Sequence, residues 1–114
     1  MIRNMAIEYE GRYLATDPEG FLLDLNDWNR EVAALLAQQD GIELGEYHWE
    51  IIDFCRDYYH EYRIIPIMRI LARAIRDRLG AAKGESLYLY RLFPQGPVRQ
   101  AARIGGLPKP PSCI

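Results

Sequence analysis

The sequence predicts a mainly α (α+β) fold: a small helical bundle with a helix-turn-helix-like core, a short N-terminal β-hairpin and an extended C-terminal arm. Three observations predict it. Apolar residues recur at helical spacing in three successive segments between residues 26 and 79. Before them, residues 6–14 alternate apolar and polar about Glu10-Gly11, the pattern of a tight hairpin. After them, the stretch from Ile104 to Ile114 holds Gly105, Gly106, Pro108, Pro110 and Pro111, which suit neither a helix interior nor a central strand.

In chain order, the hairpin is followed by Asp17-Pro18-Glu19-Gly20, a tight turn with proline at its second position. Phe21, Leu22, Leu23 and Leu25 then lead toward the core. Asn26 or Asp27 is a suitable N-cap for a first helix through about Gln39, with Trp28, Val32, Leu35 and Leu36 on one face and Gly41 past its end. A second helix starts at Leu44-Gly45-Glu46 and runs to about Tyr62; its early acids Glu46, Glu50 and Asp53 suit the positive end of the helix dipole.

Pro66 fits the first turn of a third helix, with Ile67, Ile70, Leu71, Ala74 and Ile75 inward and Gly80 as its stop. Arg69, Arg73 and Arg76 recur at spacings of four and three, which aligns them along one side. A loop over 81–85, a short helix from Leu87 to Phe93, a break at Pro94–Gly96 and a last helix from Pro97 to about Arg103 complete the reading. The expected division is a helical domain over residues 1–103 and a flexible arm over 104–114.

A chain of 114 residues fits one domain with a modest core. No apolar run approaches the roughly 18 residues of a membrane span, and Met1-Ile2-Arg3-Asn4-Met5 opens no signal peptide, so a cytoplasmic protein without a membrane partner is expected. The net charge of −2 conceals an asymmetry. Residues 1–55 carry twelve acids and three bases, whereas residues 56–114 carry four acids and eleven bases. If folding keeps these halves apart, the basic half faces an acidic partner or nucleic acid; if it interleaves them, the charges pair or solvate the surface.

Chemistry-bearing residues are few. Phosphate loops, nucleophile elbows and dinucleotide fingerprints are missing, which removes the usual hydrolase and dehydrogenase readings. His48 and His60 have no metal-ligand spacing to the cysteines; His48 reads as a capping histidine and His60 as a surface residue. Cys55 falls within an apolar helical pattern and behaves as a small buried hydrophobe. Cys113 is the penultimate residue. The prolines bias the chain before it to an extended path, Gly105 and Gly106 supply a hinge, and the eight steps from Gly105 to Cys113 reach roughly 26–29 Å. A thiol on a half-stiff arm is one reading; a frayed terminus is the other. Lys109, and Arg99 and Arg103 at the arm's root, are placed to favour a thiolate or to dock the arm. A hairpin followed by three helices, the third basic, also outlines a helix-turn-helix DNA-binding regulator, although the acidic first two helices weaken the electrostatic attraction to DNA.

The order Leu92-Phe93-Pro94-Gln95-Gly96-Pro97, then Gln100-Ala101, then Gly106-Leu107-Pro108-Lys109-Pro110 and the penultimate Cys113 resembles the signature of the DsrC/TusE family of sulfur-relay proteins. The resemblance extends through Leu25-Asn26-Asp27-Trp28, Gly41-Ile42-Glu43-Leu44, His48-Trp49 and Tyr58-Tyr59 to Pro66 and Arg69. It implies that Cys113 is the residue that carries sulfur; a persulfide carrier is expected, and neither a cofactor nor a metal. A cysteine suits this chemistry because its thiolate attacks the outer sulfur of a donor persulfide and then offers it to an acceptor.

The family also divides on a second cysteine eleven positions before the last, where this chain has Ala102. The chain therefore resembles the single-cysteine, TusE-like branch. That branch implies a TusBCD-like donor complex upstream, a tRNA thiouridylase making wobble 2-thiouridine downstream, and only indirect contact with RNA. An accessory role in sulfite reductase or sulfur-oxidation pathways is the alternative.

Overall fold

The computed structural model describes residues 5–111; Met1–Asn4 and Ser112–Ile114 lie outside the described residues. Two strands, β1 (Ala6–Tyr9) and β2 (Arg12–Ala15), pair antiparallel with Ala6 opposite Ala15 and Tyr9 opposite Arg12. Their two-residue turn places Glu10 at φ 50° and Gly11 at φ 79°, the left-handed pair whose twist matches the strands. Ile7 and Leu14 face each other across the ladder and are both buried, so one side of the hairpin packs on the helices as its alternation predicts. The Asp17–Gly20 turn forms as expected: Gly20 N–H donates to Asp17 O at 3.0 Å, and the Asp17 carboxylate accepts from the N–H groups of Glu19 and Phe21. Phe21 and Leu22 enter the core, whereas Leu23, expected to do so, is 67% exposed.

Five α-helices follow among the described residues: α1 (Arg30–Gln39), α2 (Glu46–Tyr62), α3 (Met68–Leu79), α4 (Ser86–Leu92) and α5 (Pro97–Ile104). The first begins later than the sequence predicts. Asp24 caps a separate 3-10 turn over Leu25–Asp27, and Asn29 caps α1 by accepting from Val32 N–H at 2.8 Å. Trp28, expected on the helix face, is instead extended between the two, which frees its indole for another use.

Gly45 precedes α2, and the side chain of His48, three residues on, reaches back so that Gly45 N–H donates to its Nδ1 at 3.1 Å. Arg63, at φ 61°, ends that helix in the left-handed conformation. Pro66 lies before α3, not within its first turn, and Ile67 is the N-cap. Only Leu71 and Ile75 of α3 are buried; Ile67 and Ile70, expected inward, are 43% and 38% exposed. The expected loop after α3 contains a 3-10 turn over Ala81–Gly84, and Gly84 lies so close to α3 that a Cβ there would meet Arg76 Cβ at 2.6 Å.

The last helix is the centre of the molecule. Of its residues only Arg99 is not buried, and α1, α2, α3 and α4 all touch it. Pro97 sits in its first turn, where the missing N–H costs nothing. Around it gather Val32, Leu36, Ile51, Ile52, Leu71, Leu89 and Phe93, each at or near zero exposure. Among the described residues no helix is long and apolar enough to cross a membrane.

Candidate functional site at the base of the C-terminal segment

Because α5 is buried at the centre, the chain that leaves it must pass between neighbours before reaching the surface. Gly105 N–H continues the helix by donating to Ala101 O at 2.8 Å, and Leu107 N–H donates to Ala102 O at 2.9 Å. Gly106 takes φ +68° between them. This is the return a helix makes when a left-handed glycine follows its last turn. Trp28 covers the turn: its indole N–H donates to Ile104 O at 2.8 Å, and a Cβ on Gly106 would sit 2.2 Å from its Cγ.

Arg56 closes the other side. Its guanidinium lies 3.8 Å from the Trp28 ring centroid and donates to Gly105 O at 2.6 Å. Burial pushes the Arg56 pKa down from its ordinary value, against the opposing pull of Asp53 and Asp57. A cation held on an aromatic face and bonded to a carbonyl fixes the backbone at this point.

Residues 104–107 are therefore seated in the core. Ile104, Gly105, Gly106 and Leu107 are all buried, Pro108 is half-buried and Pro110 is buried again. The two glycines expected to hinge the arm serve close approach to Trp28, Ile52 and Ala101. The segment reaches solvent at Lys109 and Pro111, several residues beyond the expected boundary at 103/104. Cys113 lies outside the described residues.

Two acidic residues tie this base to the rest of the fold. Glu19, in the turn after the hairpin, binds both Lys109 and Arg99 through opposite carboxylate oxygens. The hydrogen bonds from Lys109, then Arg99, hold its carboxyl below the usual range. Asp40, at the C-terminus of α1, binds Arg103 and accepts from Gln100 Nε2 at 2.9 Å. Arg103 also donates to Leu36 O at 3.4 Å, and Gln100 Oε1 accepts from Gln95 N–H at 3.0 Å.

Of the two arginines expected to stabilise an anion or bind a partner, Arg103 is thus buried and committed to Asp40. Arg99 is partly exposed and shares Glu19 with Lys109. A cavity of about 350 Å³ opens beside them, lined by Pro18, Glu19, Gln95, Arg99, Gln100 and Arg103.

Other expectations resolve simply. Cys55 is fully buried, and burial pushes its thiol up to about 12, so it is a core residue with negligible thiolate at neutral pH. The His48 ring meets Phe93 edge-on at 5.4 Å, and burial lowers its pKa against a backbone hydrogen bond with Leu92, in keeping with a neutral capping role. His60 is exposed. Among the described residues no three His, Cys, Asp or Glu gather as a metal site.

The charge halves interleave in part. Lys83–Glu50, Arg99–Glu19, Arg103–Asp40 and Lys109–Glu19 each join a base of the second half to an acid of the first. Trp28, Arg56, Glu19 and Asp40 went unassigned in the sequence because their roles depend on partners 49 to 90 positions away. Only the tryptophan lay within a stretch that the family resemblance covered.

The model for DsrC like proteins matches residues 8–114, all but the first seven residues. The chain belongs to the DsrC-like family. It is 48% identical over 108 residues to Sulfurtransferase TusE of Pectobacterium atrosepticum, covering 95% of this chain and 99% of that one. Its fold is similar to the NMR structure of Allochromatium vinosum DsrC, with TM-score 0.85, 52% identity, and 96% and 97% of the two chains covered. It is likewise similar to the oxidized gamma-subunit of the dissimilatory sulfite reductase (DsrC) from Archaeoglobus fulgidus, with TM-score 0.84, 40% identity, and 96% and 99% covered. The recognition of this family from the tail motifs and the expected small α+β fold are thereby both borne out.

Proposed function

We propose that this DsrC-like protein is a sulfurtransferase of the carrier type, acting in the cytoplasm, with Cys113 as the atom-bearing residue. In the loading step the Cys113 thiolate attacks the outer sulfur of a donor persulfide. The donor S–S bond breaks, the donor leaves as a thiolate, and Cys113 holds a persulfide; no external oxidant or reductant is consumed. In the unloading step an acceptor nucleophile takes the outer sulfur and Cys113 returns as the thiolate.

The observation that carries this reading is the penultimate cysteine after Gly-Leu-Pro-Lys-Pro in a chain 48% identical to a protein named Sulfurtransferase TusE. The seated base supports it mechanically. Lys109 is paired with Glu19, and the three steps of chain from Pro110 to Cys113 correspond to a fully extended length of roughly 10–11 Å, against roughly 26–29 Å counted from Gly105. A short length of chain beyond a packed base suits insertion into a narrow donor or acceptor site. The upstream partner proposed is a TusBCD-like complex and the downstream one a tRNA thiouridylase, with RNA met only through the latter.

Intact-mass measurement after incubation with a persulfide-loaded donor tests the reading. Wild type gains sulfur and Cys113→Ser does not, while Cys55 stays unmodified. Burial pushes the Cys55 thiol up to about 12, so at pH 7.5 it is almost wholly protonated and Cys55 is the internal control. Equal labelling of Cys55, or no labelling of Cys113, overturns it.

A second reading follows from the Archaeoglobus fulgidus neighbour, which is the gamma-subunit of a dissimilatory sulfite reductase. Ala102 weighs against a two-cysteine version here, since it is fully buried on α5 and has no thiol to offer Cys113. Transfer from Cys113 to a tRNA thiouridylase, set against co-purification with sulfite reductase, separates the two.

A further inference from the structure

The corner where α2 turns into α3 gathers several exposed apolar side chains in a short stretch of chain. Tyr62, Ile64, Ile67 and Ile70 are 55%, 59%, 43% and 38% exposed within nine residues of chain. Tyr62 and Ile70 line one cavity of about 180 Å³ between α2 and α3, together with Phe54, Tyr58, Ala74 and Arg78. Single exposed apolar residues are ordinary, but Ile64 and Ile67 exposed in the same stretch of chain as a cavity lined by Tyr62 and Ile70 mark a surface suited to being covered.

Basic residues border it. Arg63 ends α2, and Arg69, Arg73 and Arg76, with the single acid Asp77 beside them, line a groove of about 720 Å³ on the adjoining side of α3. The other half of the chain neutralises Lys83, Arg99, Arg103 and Lys109, and Arg56 is spent on Trp28 and Gly105. None of Arg63, Arg69, Arg73 and Arg76 has an ion pair among the described residues. These four arginines are thus part of the positive excess of residues 56–114 that the ion pairs with the first half do not neutralise.

We propose that this α2–α3 corner is the docking surface for a protein partner in the sulfur relay, one that presents an apolar side chain to the Tyr62–Ile70 cavity and carboxylates to Arg63, Arg69 and Arg73. The proposal rests on the carrier reading. An apolar centre with a charged rim is the anatomy of a protein–protein interface, where the rim charges set the encounter rate and the register. Nucleic acid fits less well. Its continuous negative charge would have to run past Asp57 and Glu61, which line the same cavity, and its phosphates gain nothing from exposed isoleucines. A protein can place its carboxylates opposite the arginines alone.

Two exposed double variants test it: Arg69→Glu with Arg73→Glu, and Ile67→Ser with Ile70→Ser. Circular dichroism and urea unfolding first establish that both retain the fold. The transfer rate at limiting partner is then measured for loading by a persulfide-charged TusBCD-type complex and for unloading to a tRNA thiouridylase, with inorganic polysulfide as a loading agent that needs no docking. The expected result is a loss of tenfold or more in at least one protein-dependent step for both variants, with the arginine loss shrinking as salt is raised and polysulfide loading unchanged. Both protein steps within twofold of wild type overturn the proposal while leaving the carrier reading intact. Wild type that no donor loads overturns the carrier reading, and this proposal with it. Loss confined to duplex or tRNA binding, or to a wild-type dimer that the variants dissociate, assigns the corner to nucleic acid or to a second copy and overturns it as well.

Discussion

Trp28 and Gly106 are in such close contact that the smallest side chain at position 106 would overlap the indole. The tryptophan is left out of both flanking helical segments, and the glycine adopts φ +68°. Each deviation has its reason in the other. Together with the Trp28 N–H bond to Ile104 O and the Arg56 bond to Gly105 O, they decide where the chain carrying Cys113 leaves the core.

Gly106→Ala is expected to destabilise by about 3 kcal/mol or more, from the left-handed backbone and the overlap combined. Trp28→Phe keeps a ring but loses the indole donor, at about 1–2 kcal/mol. Urea unfolding followed by circular dichroism measures both. A Gly106→Ala protein as stable as wild type would mean that Trp28 moves freely and does not clamp the segment.

Glu19→Gln should loosen the segment without unfolding the domain, because both of its cationic partners sit at the surface end of the network. The expected signature is a lowered heteronuclear NOE at Lys109 with the helices unchanged. The Glu19 carboxyl is held below its ordinary 4.5, so its contribution is complete above that value and is lost only as pH falls through the lower folded value. At neutral pH the tether should therefore yield to salt and not to mild acid. An unchanged NOE at Lys109 in the variant would remove Glu19 as the tether.

The Asp40–Arg103 pair has side chains only 2% and 5% exposed. Removing one member leaves the other charged and buried, so Arg103→Met and Asp40→Asn are each expected to cost about 3–5 kcal/mol, with the double variant costing less than their sum. Sulfur loading of the folded fraction of Arg103→Met should equal that of wild type. Loss of loading without loss of stability would favour a role for Arg103 in stabilising the sulfur anion or binding a partner, the two readings the sequence leaves open.

His48 contributes a pH slope. Its folded pKa is lowered by burial, so between that value and the ordinary 6.5 the unfolded chain binds more protons, and stability falls as pH drops through this window. Wild type should have a lower urea midpoint at pH 5.5 than at 7.5. His48→Gln, which preserves a side-chain acceptor at the same helix position, should show a smaller drop. Equal drops would exclude His48 as the source.

Much of this protein is local chemistry and is legible from its residues. Glu10-Gly11 makes the hairpin, because a two-residue turn with both φ positive needs residues of that kind, and the alternation on either side assigns Ile7 and Leu14 to the core. Gly80 ends α3 and Pro97 begins α5, each by its own backbone preference. Family membership was also readable, since it lies in the order of residues from Leu92 to Cys113.

Tertiary structure decided the remainder. Among Asn26, Asp27 and Asn29 no local rule selects the cap; the requirement that Trp28 reach Ile104, seventy-six positions away, selects Asn29. Ile67 and Ile70 have the helical spacing of core residues, yet the orientation of α3 leaves only Leu71 and Ile75 facing α5. Gly105 and Gly106 read as a hinge because glycine permits motion, and in the fold they are buried in close contact because α5 is central and its exit is covered. A glycine's freedom is a property of the residue; whether it is used for movement or for close contact depends on what folding places beside it.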